Sequence, residues 1–230
     1  MARTVGIGHQ DFEKLRIKNN FYVDKTGFIR EWWESDDDVT LITRPRRFGK
    51  TLNMSMTECF FSAKYADRGD LFEGLEIWGN EKFRKLQGSW PVISLSFSNV
   101  KAGDYATMRG QICQILTMLY SEKRFLLEAG ILDEREIEFF KEVSIGMDDV
   151  HAFMALHQMS LYLSRYYGKK VIILLDEYDT PMQEAYVNGC WDELTAFIRN
   201  LFNSTFKTNP YLERALMTGI TRVGKESIFS

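Results

Sequence analysis

Short apolar runs alternate along the chain with longer stretches in which apolar residues recur every three or four positions. Four runs rich in β-forming residues, Val39–Thr43 and residues 91–97, 171–175 and 215–218, predict strands. The run Val171-Ile172-Ile173-Leu174-Leu175 has no polar alternation, the pattern of a strand covered on both faces by helices, and it is expected at the centre of a parallel sheet. Helical spacing marks residues 52–64, 105–120, 133–143, 149–167 and 192–206. In the first of these, Met54, Met56, Cys59, Phe60 and Phe61 spread widely around the axis, so that helix should be buried on much of its surface. Alternating strands and helices predict a three-layer αβα architecture with a mainly parallel central sheet and right-handed crossovers. The stretch 121–147 is longer than a crossover needs and reads as a helical insertion, not a second domain.

The first strand runs into Arg44-Pro45-Arg46-Arg47-Phe48-Gly49-Lys50-Thr51, and a helical stretch follows at once. Strand, loop, Gly-Lys-Thr and helix is the order of a phosphate-binding loop, G-x-x-x-x-G-K-[ST]. There the backbone N–H groups and the helix N-terminus cradle phosphates, the lysine reaches the terminal phosphates, and the hydroxyl binds magnesium. Gly49, Lys50 and Thr51 match, whereas Arg44 stands at the first glycine and denies the loop a freely accessible positive φ at its start. Pro45 fixes one dihedral, and Arg44, Arg46, Arg47 and Lys50 place four cations within seven residues, a density suited to a polyphosphate. Taken alone, the segment can also be read as a basic surface turn.

A second feature bears on that choice. The central apolar strand ends in Asp176-Glu177-Tyr178-Asp179, and in open α/β sheets ligands bind outside the carboxyl ends of the strands. Asp176 is expected to hold magnesium together with Thr51, and Glu177 to orient and polarise the water that attacks a γ-phosphate. An acidic loop capping a helix is the other reading of this segment. The long stretch between Lys50 and Asp176 accommodates an intervening strand, residues 91–97, as an additional-strand P-loop fold requires. A third element, Thr218-Gly219-Ile220-Thr221-Arg222, puts a polar residue at a strand end. Thr218 is a candidate to bond the γ-phosphate or attacking water, and Arg222 to neutralise developing charge there or in an adjoining subunit.

Composition narrows the function class. Of the 230 residues 45% are hydrophobic and 14% aromatic, enough for a packed core and unlike a disordered chain. A net charge of -3 argues against general attraction to nucleic acid, so direct nucleic-acid binding is not expected and any anion site must be local. Cys59, Cys113 and Cys190 are odd in number and far apart, which reads as buried free thiols, not a disulfide or zinc framework. The histidines His9, His151 and His157 suggest no shared metal. No signal-peptide core follows Met1 and no run reaches the length of a membrane span, so the expected compartment is the cytoplasm.

Taken together, the motifs Phe21-Tyr22-Val23-Asp24-Lys25-Thr26, Thr43-Arg44-Pro45-Arg46-Arg47-Phe48-Gly49-Lys50-Thr51, Asp176-Glu177-Tyr178-Asp179-Thr180-Pro181, Thr218-Gly219-Ile220-Thr221-Arg222 and Lys225-Glu226-Ser227-Ile228-Phe229-Ser230 resemble the bacterial and archaeal predicted AAA-ATPase-like family. The resemblance implies that Arg44 is a family variant of the loop's first glycine. It also implies a P-loop core over residues 1–230 that binds ATP and Mg2+ and hydrolyses ATP, or holds it as a switch, and that is commonly fused to a C-terminal nuclease-like domain. On this reading the chain stops near the last motif and lacks a further strand, which would leave a sheet edge open to a second copy. The chemistry of Asp24-Lys25-Thr26 stays open: Lys25 and Thr26 are candidates to approach the nucleotide, and Asp24 to cap the following helix.

Overall fold

A computed structural model describes residues 8–222; the expected motif at 225–230 lies outside them. Two short N-terminal helices, α1 (Phe12–Ile17) and α2 (Gly27–Glu34), precede β1 (Val39–Thr43) and α3 (Lys50–Phe61). Three 3-10 turns and α4 (Glu81–Arg84) lead to β2 (Val92–Ser96) and the long α5 (Tyr105–Glu122). After α6 (Glu134–Glu142) and α7 (Asp149–Tyr167) come β3 (Val171–Asp176), α8 (Thr180–Asn188), α9 (Trp191–Phe202) and β4 (Leu212–Gly219).

The four strands form one sheet in the order β1-β4-β3-β2, and every pair is parallel. Residues of β3 point alternately to two cores. Ile173 and Leu175 join β2 and β4 side chains beneath α5, α7 and α9, while Ile172 and Leu174 meet α3, α2 and α1 on the other face. Helices therefore cover both faces of the sheet, the three-layer arrangement expected from the apolar run of β3, whose six residues are all buried. Residues 91–97 intervene in sequence as expected, but in space the strand that separates β1 from β3 is β4, and β2 lies at the far edge.

Two boundaries differ from the sequence reading for identifiable reasons. β4 begins at Leu212, three residues before the apolar run, because Arg214 is buried there. Its guanidinium lies 4.0 Å over the Trp33 ring and donates to the carbonyls of Trp32 (3.2 Å) and Trp33 (2.8 Å), satisfying the C-terminal end of α2. Trp32 is core, and Trp33 packs at its margin on Phe61 and Trp90. The helix expected over 192–206 ends at Phe202 and continues as a π turn, Asn203–Lys207. The three cysteines are buried free thiols.

The extra helical stretch between α5 and α7 is held by polar locks. α6 starts with a capping box in which Asp133 and Glu136 bond each other's backbone N–H groups. His151 joins α6 to α7: one ring nitrogen lies 2.8 Å from Asp148 and the other 2.7 Å from Glu142. The Asp148 hydrogen bond, helped by Glu142 and opposed by partial burial, raises the imidazole above its ordinary value. A raised folded value means that the imidazolium stabilises the fold fully below about pH 6.5 and that this contribution fades as pH rises through the folded value. His151→Gln is thus expected to lower the thermal midpoint at pH 6 and to differ much less from the parent well above neutrality, as measured by circular dichroism melts across that range.

Candidate phosphate-binding site

Pleating alone explains how the acidic strand tip reaches the loop. Asp176 shares its parity along β3 with Ile172 and Leu174, so it faces the α3 side of the sheet. Thr218 shares parity with Leu216 on β4 and faces the same way. The next strand pairs Thr218 with Ile42, one residue from the end of β1, where the cationic loop begins.

The loop turns back into α3 through two left-handed residues, Arg47 (φ 69°) and Gly49 (φ 76°), while Arg44 needs no positive φ. Arginine at the first position of the loop therefore costs no backbone strain. Arg44 N–H donates to the Gly219 carbonyl (3.1 Å), tying the loop's start to the end of β4. Lys50 Nζ donates to the carbonyls of Arg44 (3.0 Å) and Pro45 (3.1 Å), so its ammonium lies inside the curve of the loop. Arg44, Pro45, Arg46, Arg47 and Phe48 are exposed, and Phe48 at 61% presents a bare ring at the loop's tip.

At the first turn of α3, Thr51 Oγ1 donates to Asp176 Oδ2 at 2.7 Å. Thr218 Oγ1 donates to the other carboxylate oxygen, and the Glu177 N–H donates to that same oxygen at 3.1 Å, the third donor to the carboxylate. Asp176 is only 5% exposed, so these bonds offset what burial of a carboxylate would otherwise cost. The loop and the strand tip thus converge, as the sequence reading required. Glu177 occupies a left-handed conformation (φ 52°), uncommon for a residue with a side chain. Its carboxylate receives the Thr180 hydroxyl at 3.2 Å. Beside it a polar cleft of about 640 Å3 runs between α3 and β2, lined by Thr51, Ser55, Glu58, Ser94, Ser96, Lys101, Asp176 and Glu177 among others.

The early motif divides into unlike parts. A Cβ on Gly49 would lie 3.6 Å from Lys25 Nζ, so this lysine reaches the loop from the segment before α2. Thr26 does not: it is fully buried, its hydroxyl donates to Asp24 (2.7 Å) and accepts the Ile77 N–H (3.1 Å), and no face is left for a nucleotide. Nor does Asp24 cap α2. Its carboxylate accepts the N–H groups of Thr26 (2.8 Å) and Glu76 (2.7 Å), bracing the segment that aims Lys25. Burial alone would raise the Asp24 carboxyl, but these donors outweigh it and hold it below the usual carboxylate range.

The family described as Predicted AAA-ATPase matches residues 6–229. The chain belongs to this family. An uncharacterized protein in the vnfD 5' region of Azotobacter chroococcum mcd 1 is 28% identical over 227 residues, which is 97% of this chain and 38% of that protein. The chain thus spans well under half the length of the curated relative it matches. No solved structure matches it. Among the described residues, no helix is long and apolar enough to cross a membrane.

For this member of the predicted AAA-ATPase family, sequence reasoning overlooked Tyr178, Asp179 and Gly219 as parts of the site. Tyr178 N–H donates to the Thr218 carbonyl (3.0 Å) and its hydroxyl to the Thr221 carbonyl (2.9 Å). Asp179, fully buried, accepts the N–H groups of Ile220 (3.0 Å) and Thr221 (2.7 Å). An acid three positions past a strand looks like any exposed loop acid, so only the neighbouring Gly219, at the end of an apolar run, could have hinted at a close approach. Arg222 follows this turn and is exposed.

Proposed function

We propose that the chain binds magnesium and ATP at the mouth of β1, β4 and β3, and hydrolyses the nucleotide. The observation that carries this reading is the contact of Thr51 with Asp176, bonded at 2.7 Å beside Lys50. Magnesium prefers hard oxygen donors and commonly takes one or two from protein, the rest from water and phosphate. A hydroxyl and a carboxylate side by side fit that demand, and the absence of any cluster of three acidic, His or Cys side chains among the described residues does not oppose it. Thr51 and Asp176 would hold the ion, which when bound neutralises charge on the phosphate oxygens.

The remaining work falls to the chain. The loop N–H groups and the N-terminus of α3 cradle the phosphates, and Lys50, with Arg44, Arg46, Arg47 and Lys25 around it, supplies positive charge. Glu177, next to Asp176 but not bonded to Thr51, orients and polarises the attacking water, and the exposed Arg222 just past β4 serves the γ-phosphate. Thr218, expected to do the same, is buried with its hydroxyl given to Asp176 and steadies that carboxylate instead. Calorimetric titration with ATP should show binding with magnesium present and a large loss on chelation by EDTA, accompanied by steady release of phosphate. No binding in either condition would refute the assignment. Binding without phosphate release would leave instead a nucleotide-gated switch that arranges another domain of a longer protein.

A further inference from the structure

Aspartate at the cap position of a helix ordinarily bonds its own first turn. Asp179 holds that position for α8 yet makes no such bond. Its side chain turns away, and a single oxygen, Oδ2, receives four donors: the N–H groups of Ile220 (3.0 Å) and Thr221 (2.7 Å), the Thr221 hydroxyl (2.7 Å) and the Gln183 amide (2.7 Å). Three of these come from a turn more than forty residues ahead in the chain. The other oxygen, Oδ1, is buried without a hydrogen-bond partner and presses on Gly219, where a Cβ would come within 2.6 Å of it. Tyr178 Cε1 would lie 2.7 Å from the same Cβ, so only glycine fits at 219.

Burying a carboxylate with one oxygen unsatisfied is costly, and capping α8 would not require it. What the arrangement achieves is a connection. Through Asp179 and Tyr178 the tip of β3 grips residues 218–221, and the Gly219 carbonyl in turn receives the Arg44 N–H of the loop. The strand tip that carries Asp176 and Glu177, the β4 turn that carries Thr218 and Arg222, and the start of the phosphate loop are hydrogen-bonded into one body.

We propose that Asp179 is a positioning residue that locks the β4 turn to the β3 tip, so that Thr218 and Arg222 are held in register with Glu177 for turnover. The inference rests on the ATPase reading above. It assigns Asp179 no contact with nucleotide, so its loss should spare binding and impair hydrolysis.

The test compares the parent chain with Asp179→Asn and Asp179→Ala, each checked for folding by its melting profile, and with Thr221→Val, which removes one donor and leaves the carboxylate in place. Amide hydrogen exchange at Ile220 and Thr221 should quicken by about 10-fold or more in Asp179→Ala, the scale of losing a charge-assisted bond, and by less in the other two. Phosphate release should fall by at least about tenfold while the Kd for ATP stays within about threefold. Arg222→Ala, expected to lower turnover in the parent, should add nothing in the Asp179→Ala background, a non-additivity that general loss of stability would not produce. Unchanged exchange at the two amides, or unchanged turnover in Asp179→Ala, overturns the proposal. Failure of the parent to bind ATP would be read separately, as failure of the nucleotide site itself.

Discussion

Glu177→Gln should lower ATP turnover by about 10²–10⁴-fold, the range over which a positioned general base contributes, while leaving ATP affinity nearly unchanged. The substitution is almost isosteric, and the Thr180 hydroxyl that donates to the Glu177 carboxylate can donate equally to the glutamine amide oxygen. The left-handed backbone at 177 is unaffected, because both residues carry the same Cβ. What is lost is the negative charge to which the proposed function assigns the activation of water. Asp176, not Glu177, carries the bonds to Thr51 and Thr218, so the site that would hold magnesium keeps its donors. Phosphate release under saturating ATP, read beside calorimetric affinity, decides the matter. Equal turnover in parent and variant would remove Glu177 from the chemistry. Absence of turnover in both would favour the switch.

The parts of this site differ in how far the chain's one-dimensional pattern exposes them. β3 is plain because a strand covered on both faces needs apolar residues at every position, and five in a row leave no competing period. Its acidic terminus and the Gly-Lys-Thr turn stand out for a related reason: they are the groups that the proposed phosphate and magnesium chemistry would need at strand ends, and parity carries Asp176 to the face of α3. The start of β4 is hidden, since Arg214 is a charge placed in a core and is tolerated only because Trp32, Trp33 and the end of α2 receive it. α8 is hidden because it is short and opens on Thr180 and Pro181, so its helical state owes more to packing on α9 than to its own pattern. Thr26 and Asp179 mislead in opposite directions. A threonine beside a lysine in a polar motif suggests ligand contact, yet its hydroxyl is spent on Asp24 and Ile77. An aspartate past a strand suggests a solvated loop, yet it is buried against Gly219. Each is settled in part by a residue about forty or more positions away, Ile77 for Thr26 and Gly219 for Asp179, a separation no local window contains.

Lys50→Ala should weaken ATP binding by about 10- to 150-fold, the equivalent of about 1.5–3 kcal/mol for one charge-assisted contact. The direction follows from geometry: the ammonium already sits within the loop, bonded to the carbonyls of Arg44 and Pro45, where the phosphates of a nucleotide cradled by the loop N–H groups must pass. Those two carbonyls belong to exposed residues, and water can replace the lysine there, so the variant should keep its fold and its melting temperature. A loss of affinity without loss of stability is therefore attributable to the phosphate contact. The neighbouring cations Arg44, Arg46, Arg47 and Lys25 set the size of the effect, because their combined field persists when Lys50 is removed and keeps residual binding measurable. That residual binding should fall further as salt is raised, since exposed charges are screened within about 10 Å at 0.1 M ionic strength. Calorimetry with magnesium and ATP at two salt concentrations reads both quantities. Undiminished affinity in Lys50→Ala would mean that the loop's resemblance to a phosphate cradle is confined to its shape.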